Sequence, residues 1–349
     1  MKGLIGLLVL GWLFALPSHA ALQIETWQTP KGAKVLYAYA PELPMVDIRV
    51  VFDAGSARDG DKKGVAYLTN QLIGQGDLQR DEEAFAEQSE ALGLQFSTQA
   101  LKDMAMVNIR SLSRADVLKP ALALSSAAIS QPLFSDQVLK REKAQLLTRL
   151  QAKQQSASAL ARDAFWLQLY GQHPYAYASE GTVDSVKTIS QADLKAFYRR
   201  FYTARNATVA IVGQVDKATA QAIAIQLVDG LAEGQAAPAL ASVKTPTAGM
   251  KTIDYPSSQT QILMGQLGVT RLDADYVPLY VANHILGGSG FASRLMEEVR
   301  EKRGLVYGVS SALIPMRQQG PWMISLQTAT NNAPEALSVV KTKIGRAHV

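Results

Sequence analysis

Arg300 and Tyr307 are separated by six residues, Gly304 among them. That spacing ends a helix just after the arginine and opens a strand at the tyrosine. A guanidinium and a phenol brought to one surface by such a turn offer hydrogen-bond donors. Their natural targets are a peptide carbonyl and the oxyanion formed when that carbonyl is attacked. Two blander readings stay open: Arg300 as partner to the negative end of its own helix, and Tyr307 as a half-buried sheet tyrosine. The preceding run Gly287-Gly288-Ser289-Gly290 lacks a following Gly-Lys-Ser/Thr and completes no dinucleotide fingerprint. It reads as a hinge before a helix.

Other chemistries find little material. Outside the extreme termini the histidines are His173 and His284, and the positions four residues on are Tyr177 and Gly288. A helical zinc pair needs two ligands one turn apart on the same face, so neither histidine starts one. His173, in Gly171-Gln172-His173-Pro174-Tyr175, is expected to be a surface or capping residue. His284, in an apolar helix, is expected to be a hydrogen-bonded core or groove residue. The chain has no cysteine, which excludes disulfides, thiol catalysis and thiolate-bound zinc. No Gly-x-Ser-x-Gly elbow occurs. The carboxylate pairs Glu82-Glu83 and Glu297-Glu298 read as solvated helix faces. The net charge of +5 comes from basic residues interspersed with acidic ones, without the basic stripe and interleaved aromatics of a nucleic-acid binder.

The elements that must position Arg300 and Tyr307 come in two similar sets. Strand patterns cover 34–39, 46–52, 94–100, 104–112 and 207–212. Helix patterns cover 64–73, 82–92, 115–129, 135–155, 157–170 and 191–201, with Asp81 and Ser190 as N-caps and Gly74 and Gly93 as stops. An Ala/Gly/Pro-rich linker occupies 231–248. The pattern then restarts with a strand at 261–265, helices at 276–286 and 291–302, and strands at 306–314 and 322–328. Tyr67-Leu68-Thr69-Asn70-Gln71-Leu72-Ile73-Gly74 is echoed by Tyr280-Val281-Ala282-Asn283-His284-Ile285-Leu286-Gly287, which marks an internal repeat. The expected organisation is a first domain over 22–230, the linker, and the N-terminal part of a second domain over 249–349. Strands mixed with helices without strict alternation predict α+β domains, each an antiparallel-rich sheet covered by helices.

Both ends carry special features. Lys2, the apolar run 3–16 and Pro17-Ser18-His19-Ala20 form an export signal with cleavage expected after Ala20. That leader, with the lack of cysteine, points to a bacterial periplasm. Residues 344–349 resemble an in-frame translation of a sequencing adapter, which would place the true C-terminus further on.

The segment from Gly287 to Tyr307, including Ser293-Arg294-Leu295 and Arg303-Gly304-Leu305, resembles the substrate-gripping segment of the pitrilysin/insulinase family of zinc peptidases. The resemblance covers most of the chain and implies repeated α+β domains. It also implies a zinc motif, H-x-x-E-H, in the first domain within a segment like Gly-x-Ala-His-Phe-Leu-Glu-His. Gly64-Val65-Ala66 keeps that register, but Tyr67 and Gln71 replace the two histidines and Asn70 replaces the catalytic glutamate. The family's third ligand is a glutamate seven residues after another glutamate. Glu142 matches the earlier one, and Arg149 stands at the ligand position. The family's Asn-Ala on the following edge strand is here Ser97-Thr98.

The resemblance therefore implies a chain that keeps the grip and lacks the metal. Two-chain members of the family divide these tasks. The expectation is a subunit inactive alone, binding no cofactor itself, whose Arg300 and Tyr307 hold peptide for a zinc-bearing homologous partner. Two alternatives remain: a non-enzymatic peptide-binding or assembly protein, and an autonomous metallopeptidase with unusual ligands.

Overall fold

A computed structural model describes residues 23–345. The expected export signal over 1–20 and the final residues of the tail lie outside the described residues. In chain order the elements are β1 (Glu25–Gln28), β2 (Lys34–Tyr39), β3 (Met45–Phe52), α1 (Val65–Gln71), α2 (Glu82–Ala91), β4 (Gln95–Ala100), β5 (Ala105–Leu112), α3 (Ala115–Ser130), α4 (Asp136–Lys153) and α5 (Ala157–Tyr170). They continue with α6 (Val183–Thr188), α7 (Gln191–Phe201), β6 (Ala207–Gly213), α8 (Lys217–Asp229), β7 (Gln259–Leu267), α9 (Tyr276–Asn283), β8 (Val306–Leu313), β9 (Pro321–Ala329) and α10 (Ala333–Gly345).

The first sheet runs β1-β2-β6-β3-β5-β4 and the second β7-β9-β8. Only β2 with β6 is parallel; the other pairings are antiparallel. This is the expected α+β architecture, with helices over antiparallel-rich sheets. In β3, Val46, Ile48, Val50 and Phe52 point into the core and alternate with polar Asp47 and Arg49, as a strand with one covered face requires. Leu68 and Leu72 of α1, Leu124 of α3 and Leu194 of α7 pack on that face. Ser190 caps α7 in a full capping box with Asp193, and Asp81 caps α2 through Ala84 N–H.

The internal repeat is visible in topology. β3-β5-β4 in the first sheet and β7-β9-β8 in the second share one order, with α1 and α9 in the matching place after the first strand. The two Gly positions of the echoed sequence explain why. A Cβ at Gly74 would lie 2.5 Å from the Phe96 ring on β4, and one at Gly287 would lie 2.6 Å from Ser311 on β8. Both helices approach their sheets too closely for a side chain there.

Several features depart from expectation. The helix expected over 276–286 is α-helical only to Asn283 and continues as a wide π turn over His284–Gly288. The helix expected over 291–302 is split. A single 3-10 turn, Gly290–Ala292, is followed by Ser293 in extended conformation, and helix resumes with a π-helical Met296–Glu301. β1, α6, α8 and α10 add to the expected set.

The two sheets are joined by specific contacts. The loop after β8 meets the β4–β5 turn, where Asp103 accepts hydrogen bonds from Tyr175 Oη and, at 2.8 Å, from Arg317 N–H. Asp53 pairs with both Arg58 and Arg317. The stretch after α8 is tacked down by His173, whose Nε2 lies 3.0 Å from Ala241 O.

Candidate functional site

Tyr307 occupies a break in strand pairing. Val306 pairs with Thr328 and Gly308 with Gln327, so Tyr307 is the extra residue of a β-bulge on β8, an edge strand. Bulges re-aim side chains, and here the phenol is 83% exposed. The half-buried sheet tyrosine considered as an alternative is therefore not what the fold builds. Tyr307 shares an open cleft of about 430 Å³ with Phe291, Gln261, Ser325, Gln327 and, from α5, Ser158.

Arg300, in the π-helical turn, reaches this cleft through Phe291. Its guanidinium carbon lies 5.1 Å from the ring centroid, and Nη1 donates to Glu301 at 3.1 Å. A cation over an aromatic face at this separation is a favourable contact. The arrangement puts a phenol and an exposed aromatic ring around a neutral polar floor, with the Arg300 guanidinium over the ring. Chemically that can hydrogen-bond a carbonyl and contact an apolar side chain.

The counterpart on α1 is closed. Arg149 on α4 donates from Nη2 to Tyr67 Oη at 3.3 Å, so two of the four positions implied by the family motif do meet in space. Asn70 turns into the core, 1% exposed, and its Nδ2 donates to Met106 O at 3.3 Å and Tyr202 Oη at 3.2 Å. Gln71 is half-buried. Glu142 is buried and paired with Arg141, which also bridges to Glu82. These residues do not fit zinc. A permanently charged guanidinium occupies a ligand position, its partner is a phenol already engaged as acceptor, and the Asn70 amide is committed to the core. Among the described residues no three His, Cys, Asp or Glu side chains gather as a metal set. Ser97 and Thr98 lie on the edge strand β4.

Of three further expectations, the capping role of His173 holds and the readings of His284 and Glu298 are corrected. His173 is buried at 9% exposure; its Nδ1 caps Tyr175 N–H at 3.2 Å, and burial pushes its pKa down. It is a capping residue but not a surface one. His284 is exposed at the end of α9 rather than a core or groove residue, on the same helix face as exposed Tyr280 and Val281. Glu298 is no solvated face: its carboxylate gathers Lys302, Arg303 and Lys343.

Two residues carry no motif signal yet shape the sites. Phe291 is one. The other is Asp59, 6% exposed, which accepts from Gly64 N–H at 2.7 Å and Ala66 N–H at 2.9 Å and so caps α1 from outside the helix. Burial pushes its pKa up to about 7, against the pull of those two N–H groups and of Lys63 and Lys102. An Asp five residues before a Gly-initiated helix is the only clue in the sequence.

Comparison with known proteins identifies the family and the fold. Residues 34–183 match the family model described as insulinase (peptidase family M16), and residues 188–347 the model described as peptidase M16 inactive domain. A solved structure of a peptidase M16 inactive domain from Pseudomonas fluorescens is 43% identical, with a TM-score of 0.92 over 93% of this chain and 79% of that one. An uncharacterized zinc protease of Rickettsia bellii is 23% identical over 90% of this chain and 76% of that protein. The non-peptidase homolog YmxG of Helicobacter pylori is 24% identical over 88% of this chain and 71% of that protein.

Proposed function

The chain belongs to the insulinase (M16) peptidase family and carries that family's inactive domain, and from this premise we propose that it is the substrate-gripping, non-catalytic subunit of an exported two-chain peptidase. The observation that carries the reading is the contrast between its two halves. Tyr307 projects from a bulge into a cleft shared with Phe291, while Arg149 and Tyr67 bond to each other at positions where the family pattern expects metal ligands. Zinc belongs to a homologous partner bearing the H-x-x-E-H motif. The export-like leader and the cysteine-free composition support a periplasmic location for the assembly. That one relative is named a non-peptidase homolog supports the division of labour.

In this reading Arg300 and the Tyr307 hydroxyl donate hydrogen bonds to the carbonyl of the bound peptide. They strengthen those bonds as negative charge develops on its oxygen. The bulge fixes the phenol, and the Phe291 ring restrains the guanidinium. Little reorganisation is then left for the moment of reaction.

Tyr307→Phe removes one such donor without touching the core. Turnover by the reconstituted pair should fall by roughly 100-fold, with assembly, followed by light scattering, unchanged. Unchanged turnover would remove Tyr307 from the site. A second reading, a peptide-binding protein with no protease partner, uses the same cleft; it predicts peptide binding and no turnover with any homologue.

A further inference from the structure

We propose that Phe291 is a specificity-determining residue and that the cleft it shares with Tyr307 selects a bulky apolar side chain, aromatic above all, on the bound peptide. The inference rests on the grip reading above and adds the class of peptide that the grip prefers.

Phe291 is 76% exposed, yet it is not on a slack loop. It sits at the centre of the single turn Gly290–Ala292. Fully buried Ser293 anchors that turn: its Oγ donates to Gly290 O at 2.7 Å and accepts from Met296 N–H at 3.4 Å. Gly290 has φ +64°, which lets the chain turn out before the ring. A large apolar side chain held in water beside a cleft is available to an apolar partner.

The surroundings define that contact. The Arg300 guanidinium covers one side of the ring. The rest of the ring faces the cleft, whose other exposed aromatic is Tyr307. Between them the floor is formed by Gln261, Ser325 and Gln327, and none of the side chains lining the cleft is charged. Gln261 is spent on Ser325 Oγ and Leu326 O, and Gln327 on Gln259. Arg300 stands behind the Phe291 ring rather than among the residues lining the cleft, shares its charge with Glu301 and, in the grip reading, is directed at the peptide carbonyl. A charged peptide side chain entering here would lose water and find no free counter-charge. An aromatic one gains two ring partners at no such cost. The cleft volume of about 430 Å³ suits one large side chain with its flanking backbone.

The test is equilibrium binding of labelled peptides to the intact chain, without any partner, by fluorescence anisotropy. One peptide carries Phe at a central position; otherwise identical peptides carry Leu, Gly or Asp there. The Phe peptide should bind at least about tenfold more tightly than the Gly peptide, with Asp weakest. Phe291→Ala should abolish the preference by weakening the Phe peptide alone, and Phe291→Trp should keep it. Equal affinity for Phe and Gly peptides, or a preference that survives in Phe291→Ala, overturns the proposal. Failure of the grip reading shows separately, as a reconstituted pair whose turnover is indifferent to Tyr307→Phe.

Discussion

Helices α1 and α9 occupy the same place in two copies of one arrangement, and they are treated oppositely. Both present an asparagine inward. Asn70 reaches Met106 O and Tyr202 Oη; Asn283 donates to Ser311 O at 3.4 Å and accepts from Trp322 Nε1 at 3.0 Å. The described part of the second copy ends at α10, before any counterpart of α7, so Leu68 and Leu72 are buried while Val281 and Ile285 are 50% and 54% exposed. In the first copy α7 lies across α1 and buries it. The shared feature is the asparagine clamp of helix to sheet. What differs is what surrounds the helix, and there the chemistry diverges. The first copy is sealed, with Arg149 bonded to Tyr67 over it. The second leaves Phe291 and Tyr307 facing outward.

The largest expected effect probes how the sealed copy is closed. Asp59 caps α1 from a buried site, whereas Asp275 at the start of α9 makes no side-chain cap. With its pKa raised to about 7 from 3.8, folded Asp59 holds a proton that the unfolded chain releases in between. Its contribution to stability is thus fully present below about pH 4 and is lost as pH rises through 7, by up to about 4 kcal/mol. Asp59→Asn should remove this loss, so urea unfolding should show the variant gaining on wild type from pH 4 to 8. A gap that stays constant with pH would refute the buried titration.

Next comes the clamp. Asn70→Ala strands a carbonyl and a fully buried tyrosine hydroxyl and should cost about 2–3 kcal/mol. Asn283→Ala, which leaves the half-buried Trp322 indole N–H and the Ser311 carbonyl without their partner, should cost about 1 kcal/mol. Urea midpoints in the reverse order would break the comparison of sealed and open copies. The smallest effect belongs to Arg149→Ala. Its exposed bond to Tyr67 should be worth under about 0.5 kcal/mol, and a larger loss of stability would make this pair a structural strut.

Much of this was legible in the sequence because it is local. The alternation of β3, the Asp81 and Ser190 caps and the Asn–Gly spacing of the repeat all lie within one element or turn. α8 was missed although its signals are local: Asp216 caps it, and Ala220, Ile223, Ala224, Leu227 and Val228 follow helical spacing. The bulge at Tyr307 was hidden because it depends on register against β9. His284 points outward with Tyr280 and Val281 one turn before it, a face that the largely apolar sequence of α9 does not reveal. Phe291 was hidden because an exposed aromatic becomes informative only once its neighbours are known.

The central claim is that this chain grips peptide and relies on another for metal. The direct test is cleavage of a quenched peptide library by the chain alone and by the chain mixed with an H-x-x-E-H homologue from the same genome, each with and without chelator. The account predicts cleavage by the mixture, well above that of the homologue alone and abolished by chelator, and none by the chain alone. Cleavage by the chain alone would contradict it, and would mean that Tyr67, Asn70, Gln71 and Arg149 do not mark a lost active site.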